Sequence, residues 1–172
     1  MAEAGDSFIE NFPPIFDDRA RILILGSMPG RASLEAVQYY AHPRNHFWPL
    51  MEGLLGIARE LPYENRLSAL KERRVALWDS AWRCRRHASA DSTMEEIRAS
   101  DFGMLFARAP GIRAIFFNGR KSEEIFRRYA LPALPSERAG LPLCYLPSTS
   151  PANAGMSFEE KREQWSRILE QL

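Results

Sequence analysis

Apolar positions along this chain fall into short unbroken runs separated by amphipathic stretches, and the two patterns alternate. The runs Arg21–Leu25 (RILIL), Val75–Trp78 (VALW), Ala114–Phe117 (AIFF) and Leu141–Leu146 (LPLCYL) read as strands. The last is expected at a sheet edge, because Pro142 has no N–H to give to a ladder. Phe47, Leu50, Met51, Leu54 and Leu55 recur at helical spacing, and Ile125, Phe126 and Tyr129 mark another helix. Helical segments are also expected after Trp78, one of them opened by the capping box Ser92-Thr93-Met94-Glu95. A second capping box, Ser157-Phe158-Glu159-Glu160, predicts a final helix with Phe158, Arg162, Trp165, Ile168, Leu169 and Leu172 on one side. Residues 1–19 read as an N-terminal arm with a Pro13-Pro14 turn, and no internal repeat interrupts the rest. Four strands alternating with helices predict an α/β fold: a three-layer sandwich around a central four-stranded parallel sheet. Ligands of such folds bind beyond the carboxyl ends of the strands.

Composition narrows the class. At 172 residues, 45% hydrophobic and 26% charged, the chain suits one domain spanning residues 1–172. It has no apolar run long enough for a membrane span, and its N-terminus lacks the features of a signal peptide. Cys84 and Cys144 are isolated thiols that make no disulfide framework, zinc ribbon or four-cysteine cluster. The expected setting is a reducing one, the cytoplasm, with nucleoid association if the chain is bacterial.

The net charge of +1 hides an uneven distribution. Arg31, Arg44, Arg83, Arg85, Arg86, Arg120 and Lys121 lie in the segments that follow strands, whereas carboxylates concentrate at Glu95-Glu96, Glu123-Glu124 and Glu159-Glu160. The pattern predicts one cationic face, the footprint of a polyanion binder.

Candidate chemistry sits in the same segments. Tyr39 to Trp48 packs four aromatics, two histidines, one arginine and one neutral amide into ten residues. Aromatics with an arginine suit stacking on a flat ring, as when a nucleobase is extruded from DNA. Phe47 and Trp48 are accounted for as the start of a helix; Tyr40, Arg44 and Asn45 are not. The preceding turn, Gly26-Ser27-Met28-Pro29-Gly30, is too short for a nucleotide P-loop. His42 and His46 stand four apart, but the remaining histidine, His87, lies in an arginine-rich stretch, so no metal or cofactor is expected. Asn118 follows the third strand directly, and its amide can donate to a ring oxygen while accepting from the adjacent ring N–H. Uracil and hypoxanthine both offer that pair; an Asn-Gly turn explains the same residue equally well. Ser148-Thr149-Ser150-Pro151-Ala152-Asn153 suits a loop pressed on phosphates, or an ordinary turn before a helix.

In order and position these loops resemble the motifs of the uracil-DNA glycosylase superfamily, over nearly the whole chain from Arg21 to the final helix. The mismatch-specific uracil/thymine branch reads G-I-N-P-G, here Gly26–Gly30, followed by F-A-H-P-x-N-x-F-W, here Tyr40 to Trp48. The Pro- and Ser-rich loop after the last strand is met by Leu146 to Pro151. Met28 stands where that branch holds water with an asparagine, and no carboxylate or second-motif histidine replaces it, Ser148 standing there instead. The chain is most similar to the hypoxanthine-DNA glycosylase branch, with G-S-x-P-G and Y-Y-A-H-P-x-N-x-F-W.

That resemblance implies a uracil-DNA-glycosylase-like fold and excision of hypoxanthine from DNA. It implies a catalytic amide at Asn45, with Ser27 beside it. Tyr40, Met28, Asn118 and Ser148 would form the base site. Arg44, His46, Lys121, Thr149, Ser150, Pro151 and Asn153 would contact DNA. The implied partner is double- or single-stranded DNA carrying deaminated bases, met by a monomer. An amide in place of a carboxylate fits chemistry in which positioning of water and electrostatics supply most of the acceleration. No lysine lies in the first two motif loops, so a Schiff-base route is not expected. An asparagine at position 28 would restore the amide of the mismatch-specific branch. The alternatives are a uracil glycosylase acting on G:U pairs and a non-catalytic nucleic-acid-binding module.

Overall fold

The computed structural model describes residues 7–87 and 90–172; the first six residues of the arm, and Ala88 and Ser89, lie outside them. Strand β1 (Phe8–Glu10) and strand β2 (Ile22–Gly26) are followed by α1 (Arg31–Ala36), α2 (Phe47–Leu55) and α3 (Tyr63–Glu72). Strands β3 (Val75–Asp79), β4 (Ala81–Arg85) and β5 (Glu95–Ala99) come next, then α4 (Phe102–Arg108), β6 (Ala114–Asn118) and α5 (Arg120–Ile125). A short α6 (Ser136–Ala139), β7 (Leu143–Leu146) and α7 (Phe158–Trp165) complete the order.

The four predicted strands form one parallel sheet in the order β3-β2-β6-β7, flanked by helices. Every residue of β2, β3 and β6 is buried, which is why these strands read as continuous apolar runs rather than alternating ones. Strand β7 is at the edge, where Pro142 costs no ladder bond. The chain leaves β2 toward β3 on one side and resumes at β6 on the other. The loops after β2 and β6 therefore diverge, opening a crevice at their carboxyl ends.

Over its described part the arm is tied to the body: β1 pairs with β4, and Ile15 bridges Leu77. Two expectations are corrected. The segment directly after β3 is not helical, the expected helix coming only at α4. It turns at Ser80 into β4 and β5, which with β1 form a second, antiparallel sheet. The box at Ser92 opens no helix: Asp91–Thr93 is a single 3-10 turn, and Thr93 Oγ1 bonds back to the carbonyls of His87 and Ala90. Glu96, at φ 50°, interrupts any helix there, and the ladder shifts register between Arg83 and Arg85. Local capping chemistry yields here to burial of Met94 against Ala81, Cys84 and Ile125.

The box at Ser157 does open α7, with Ser157 Oγ accepting from the N–H of Glu160 and the Glu160 carboxylate from that of Ser157. Its inward residues are Lys161, Trp165 and Ile168, while Leu169, expected on the same side, is exposed because the helix tightens to 3-10 geometry after Trp165.

Candidate active site

Gly26 ends β2 between Asp79, which ends β3, and Asn118, which ends β6. A Cβ at position 26 would lie 2.5 Å from Asp79 Oδ1 and 3.0 Å from the Tyr40 hydroxyl, so only glycine leaves room for both. Above these strand ends lies a cavity of about 600 Å³, lined among others by Tyr40, Asn45, Asp79, Asn118, Ser148 and Thr149. Gly119 sits at φ +93°, and a side chain there would crowd Ser148 Cβ at 3.2 Å. A bare backbone is thus required on the second side of the crevice as well.

The aromatic loop is built from the outside in. The Tyr63 hydroxyl accepts from the Tyr39 N–H at 2.9 Å, while Trp48 Nε1 donates to the Tyr39 carbonyl at 3.0 Å. Ser33 Oγ accepts from the Ala41 N–H at 3.1 Å. These clamps hold Tyr40 in the left-handed region at φ 55°, a strained conformation for an aromatic residue. One face of its ring stacks on Phe47 at 4.1 Å and 23°, and the ring lines the cavity. Its hydroxyl is buried with no hydrogen-bond partner among the described residues. Burial, then the charge of Asp79, holds that phenol well above its ordinary pKa.

Asn45 lines the cavity and its Oδ1 accepts from the Phe47 N–H at 2.9 Å, a local turn that seeds α2. The bond fixes the amide and leaves Nδ2 as donor and one lone pair of Oδ1 as acceptor. Asn118 is held from both ends by Thr149: its Nδ2 donates to Oγ1 at 2.9 Å and its Oδ1 accepts from the N–H at 2.9 Å. One donor and one acceptor site remain on an amide of fixed orientation. Ser148 Oγ accepts from the Ser150 N–H, Ser150 Oγ accepts from the Ala152 N–H, and Asn153 Nδ2 donates to the Ser148 carbonyl. The Pro- and Ser-rich loop is therefore self-bonded, with Pro151 on the cavity wall.

The structure gives several of the expected site residues partners within the protein. Thr149, 1% exposed, is engaged with Asn118. Met28 lines the cavity but packs with Ala81, Cys84, Met94 and Ile125. The hydroxyl of Ser27 donates to Asp91 Oδ2 at 2.8 Å. Arg86, its side chain 1% exposed, donates to the Pro29 carbonyl and faces Asp91 at 3.8 Å, so it braces the Gly26–Gly30 turn. Arg83 and Arg85 lie over the Phe8 ring at 3.9 and 4.6 Å and face Glu10 and Glu96. Arg120, stacked on Tyr145 at 4.6 Å, does reach the cavity, and exposed Arg44 borders a neighbouring groove with His46. Lys121 lies 3.9 Å from Glu124. His46 receives Lys161 Nζ at 3.2 Å on Nδ1 and gives its backbone N–H to the Thr149 carbonyl at 3.0 Å, tying the two motif loops together. Burial, then the Lys161 charge, lowers the His46 pKa.

The site also holds carboxylates that sequence reasoning missed. Asp79, 3% exposed, has its Oδ2 buried without a partner among the described residues. Burial, with the charge of Asp91 adding and that of Arg86 opposing, raises its pKa to about 7. Asp91 is raised too, by burial, against the hydrogen bond from Ser27 and the charge of Arg86. Asp79 ends an apolar strand just as Asn118 does, so the same positional argument applies to both. Among the described residues no group of three or more His, Cys, Asp or Glu is arranged to hold a metal.

The crevice thus lies at diverging strand ends, aromatic on one wall and amide-lined on the other. The profile of the uracil DNA glycosylase superfamily matches residues 13–172, and the chain belongs to that superfamily. A hypoxanthine DNA glycosylase of Methanosarcina acetivorans is 35% identical over 159 residues, covering 92% of this chain and 96% of the relative. Another, of Methanosarcina barkeri, is 39% identical over 116 residues, covering 67% and 73%. The NMR structure of a Methanosarcina acetivorans protein provisionally named a uracil DNA glycosylase superposes with a TM-score of 0.80 at 34% identity, covering 94% of this chain and 96% of that one. By family, this chain is a DNA glycosylase.

Proposed function

We propose that the chain is a monofunctional glycosylase that flips deoxyinosine out of DNA and hydrolyses its N-glycosidic bond, the first step of base excision repair. The observation that carries this reading is the shared cavity of Asn45, Tyr40 and the Asn118–Thr149 pair, large enough at about 600 Å³ for a bicyclic base. The relatives named hypoxanthine DNA glycosylase support it. Tyr40 offers one ring face to the base, the other being covered by Phe47. Asn118, oriented by Thr149, donates to O6 and accepts from N1–H. Adenine presents that edge with donor and acceptor reversed, and an amide that cannot turn over refuses it.

Asn45, its amide oriented by the bond from Phe47, uses the second lone pair of Oδ1 to accept a hydrogen from a water beneath C1′, which leaves the water's own lone pair facing the sugar. An amide is too weak a base to take the proton early. The water is positioned, and the sugar reaches oxocarbenium character before attack. Arg44 and Arg120 attract the backbone of double- or single-stranded DNA, which a monomer in the cytoplasm engages through this one face. His46, Lys121, Ser150 and Asn153 flank that path.

Incubation with an inosine-containing duplex followed by alkali cleavage tests the reading, beside duplexes carrying uracil or xanthine. Strand scission at inosine is expected, faster than at uracil. Faster release of uracil makes this a uracil glycosylase, and no scission of any duplex makes it a binding module.

A further inference from the structure

Two buried polar atoms of the cavity have no hydrogen-bond partner among the described residues, Asp79 Oδ2 and the Tyr40 hydroxyl, and the Asp79 carboxylate, through Oδ1, and that hydroxyl both close on Gly26. A carboxyl group buried in this way costs several kcal/mol unless it stays neutral or meets a ligand. Asp79 is no remnant of core packing, because it lines the cavity and its neighbours on β3 are apolar. Its backbone is fixed, with the carbonyl accepting from Ser100 Oγ at 2.7 Å and Ser80 N–H bonded to the Gly26 carbonyl. The side chain is thus held at the cavity with one oxygen unused.

Asp79 and Asn118 stand on the two strands that flank β2. Two strand spacings separate such positions by roughly 10 Å. A purine measures about 4 Å from N1 to N7, and a hydrogen bond of about 2.8 Å at each side brings the span to the same length. With N1–H and O6 turned to Asn118, the edge turned to Asp79 carries N7. We propose that Asp79, in its uncharged form, donates its carboxyl hydrogen to N7 of the flipped purine, selecting purines over pyrimidines and stabilising the base as it leaves. The proposal rests on the reading of this cavity as a base site. Uracil has a C–H at the corresponding edge and gains nothing from the donor. As negative charge builds on the departing base, a neutral donor at N7 strengthens its bond, whereas a carboxylate there repels it.

The charged groups facing Asp79 set when it is neutral. Asp91, beyond β4, disfavours its ionisation and Arg86, at the end of β4, favours it, with burial the largest influence. Tyr39, Tyr40 and Tyr63 all feel its charge and remain protonated in this range. A midpoint of about 7 makes the donor available at and below neutrality.

The test is single-turnover excision of hypoxanthine and of 7-deazahypoxanthine, in which N7 is a C–H, by wild type, Asp79→Asn and Asp79→Ala between pH 5.5 and 8.5. Wild type should excise the 7-deaza base at least tenfold more slowly, and its rate on hypoxanthine should fall about tenfold per pH unit above the midpoint. Asp79→Asn keeps a donor that never ionises, so it should keep the 7-deaza penalty and lose the alkaline fall. Asp79→Ala should lose most of the penalty, which separates the contact from the intrinsic stability of the 7-deaza nucleoside. The same penalty in all three proteins, or the same alkaline fall in Asp79→Asn, overturns the N7 contact while leaving the glycosylase intact. Failure of wild type to release hypoxanthine overturns the functional reading and the N7 contact with it.

Discussion

Thr149 holds Asn118 by two hydrogen bonds of 2.9 Å, hydroxyl to amide nitrogen and N–H to amide oxygen. The second motif loop therefore sets which way the base-reading amide faces, although 31 residues separate the pair. A freely turning amide would accept adenine as readily as hypoxanthine, so discrimination lives in this contact.

Thr149→Val keeps the backbone bond and removes the hydroxyl. Excision of hypoxanthine should slow about tenfold, the effect of roughly one lost hydrogen bond in a buried site. Thermal unfolding should show only a small loss of stability. An unchanged rate would mean that the backbone bond alone orients Asn118.

Asn45→Ala should lower the single-turnover rate at least a hundredfold, the scale of removing one transition-state-positioning group. It also removes the turn bond to Phe47, at a cost of about 1 kcal/mol. Affinity for inosine-containing DNA, measured by fluorescence anisotropy, should change little. A rate near that of wild type would remove Asn45 from the chemistry.

Met28→Asn should destabilise the protein by about 1–3 kcal/mol without conferring excision at G:U pairs. The thioether packs with Ala81, Cys84, Met94 and Ile125, where an amide finds no partner in that apolar cluster. Denaturant melts and a G:U duplex assay check both halves. New activity at G:U would show that the turn re-forms to present the amide.

Asp79→Asn should stabilise the fold at and above neutral pH. The carboxyl has an ordinary value of 3.8 and a folded value of about 7, so between these the folded chain keeps a proton that the unfolded chain has lost. Stability from this group is fully present below pH 4 and drains away as pH rises to about 7. The variant should gain on the order of a few kcal/mol above that point and nothing near pH 4. Urea midpoints at pH 4 and pH 8 decide it; equal differences at the two values contradict the assignment.

The salt dependence of DNA affinity should be shallower than the seven cations after the strands suggest. Arg86 is buried beneath the Gly26–Gly30 turn, and Arg83 and Arg85 lie over Phe8. Arg44→Ala and Arg120→Ala should each reduce the slope of log affinity against log salt by about one unit, while Arg83→Ala leaves it unchanged. Equal effects from all three would spread the interface onto the antiparallel sheet.

The sequence by itself determined the parallel sheet, because strands buried on both faces must be apolar throughout, and Ile22–Leu25, VALW and AIFF are, while LPLCYL, with its Pro142, suits the half-buried edge it occupies. It also located the loops that line the cavity, since each follows one of those strands and binding sites of such sheets gather there. Tertiary structure decided the rest. A capping box at Ser92 is a local signal, and it lost to burial of Met94 and pairing of β5 with β4. Thr149, Arg86 and Lys161 carry the polar side chains of surface residues, yet each is turned inward by a partner distant in sequence: Asn118, Pro29 and His46. The proton on Asp79 is the clearest case. Whether that carboxyl is charged depends on burial and on Asp91 and Arg86, none of which adjoins it along the chain, so no local pattern encodes it.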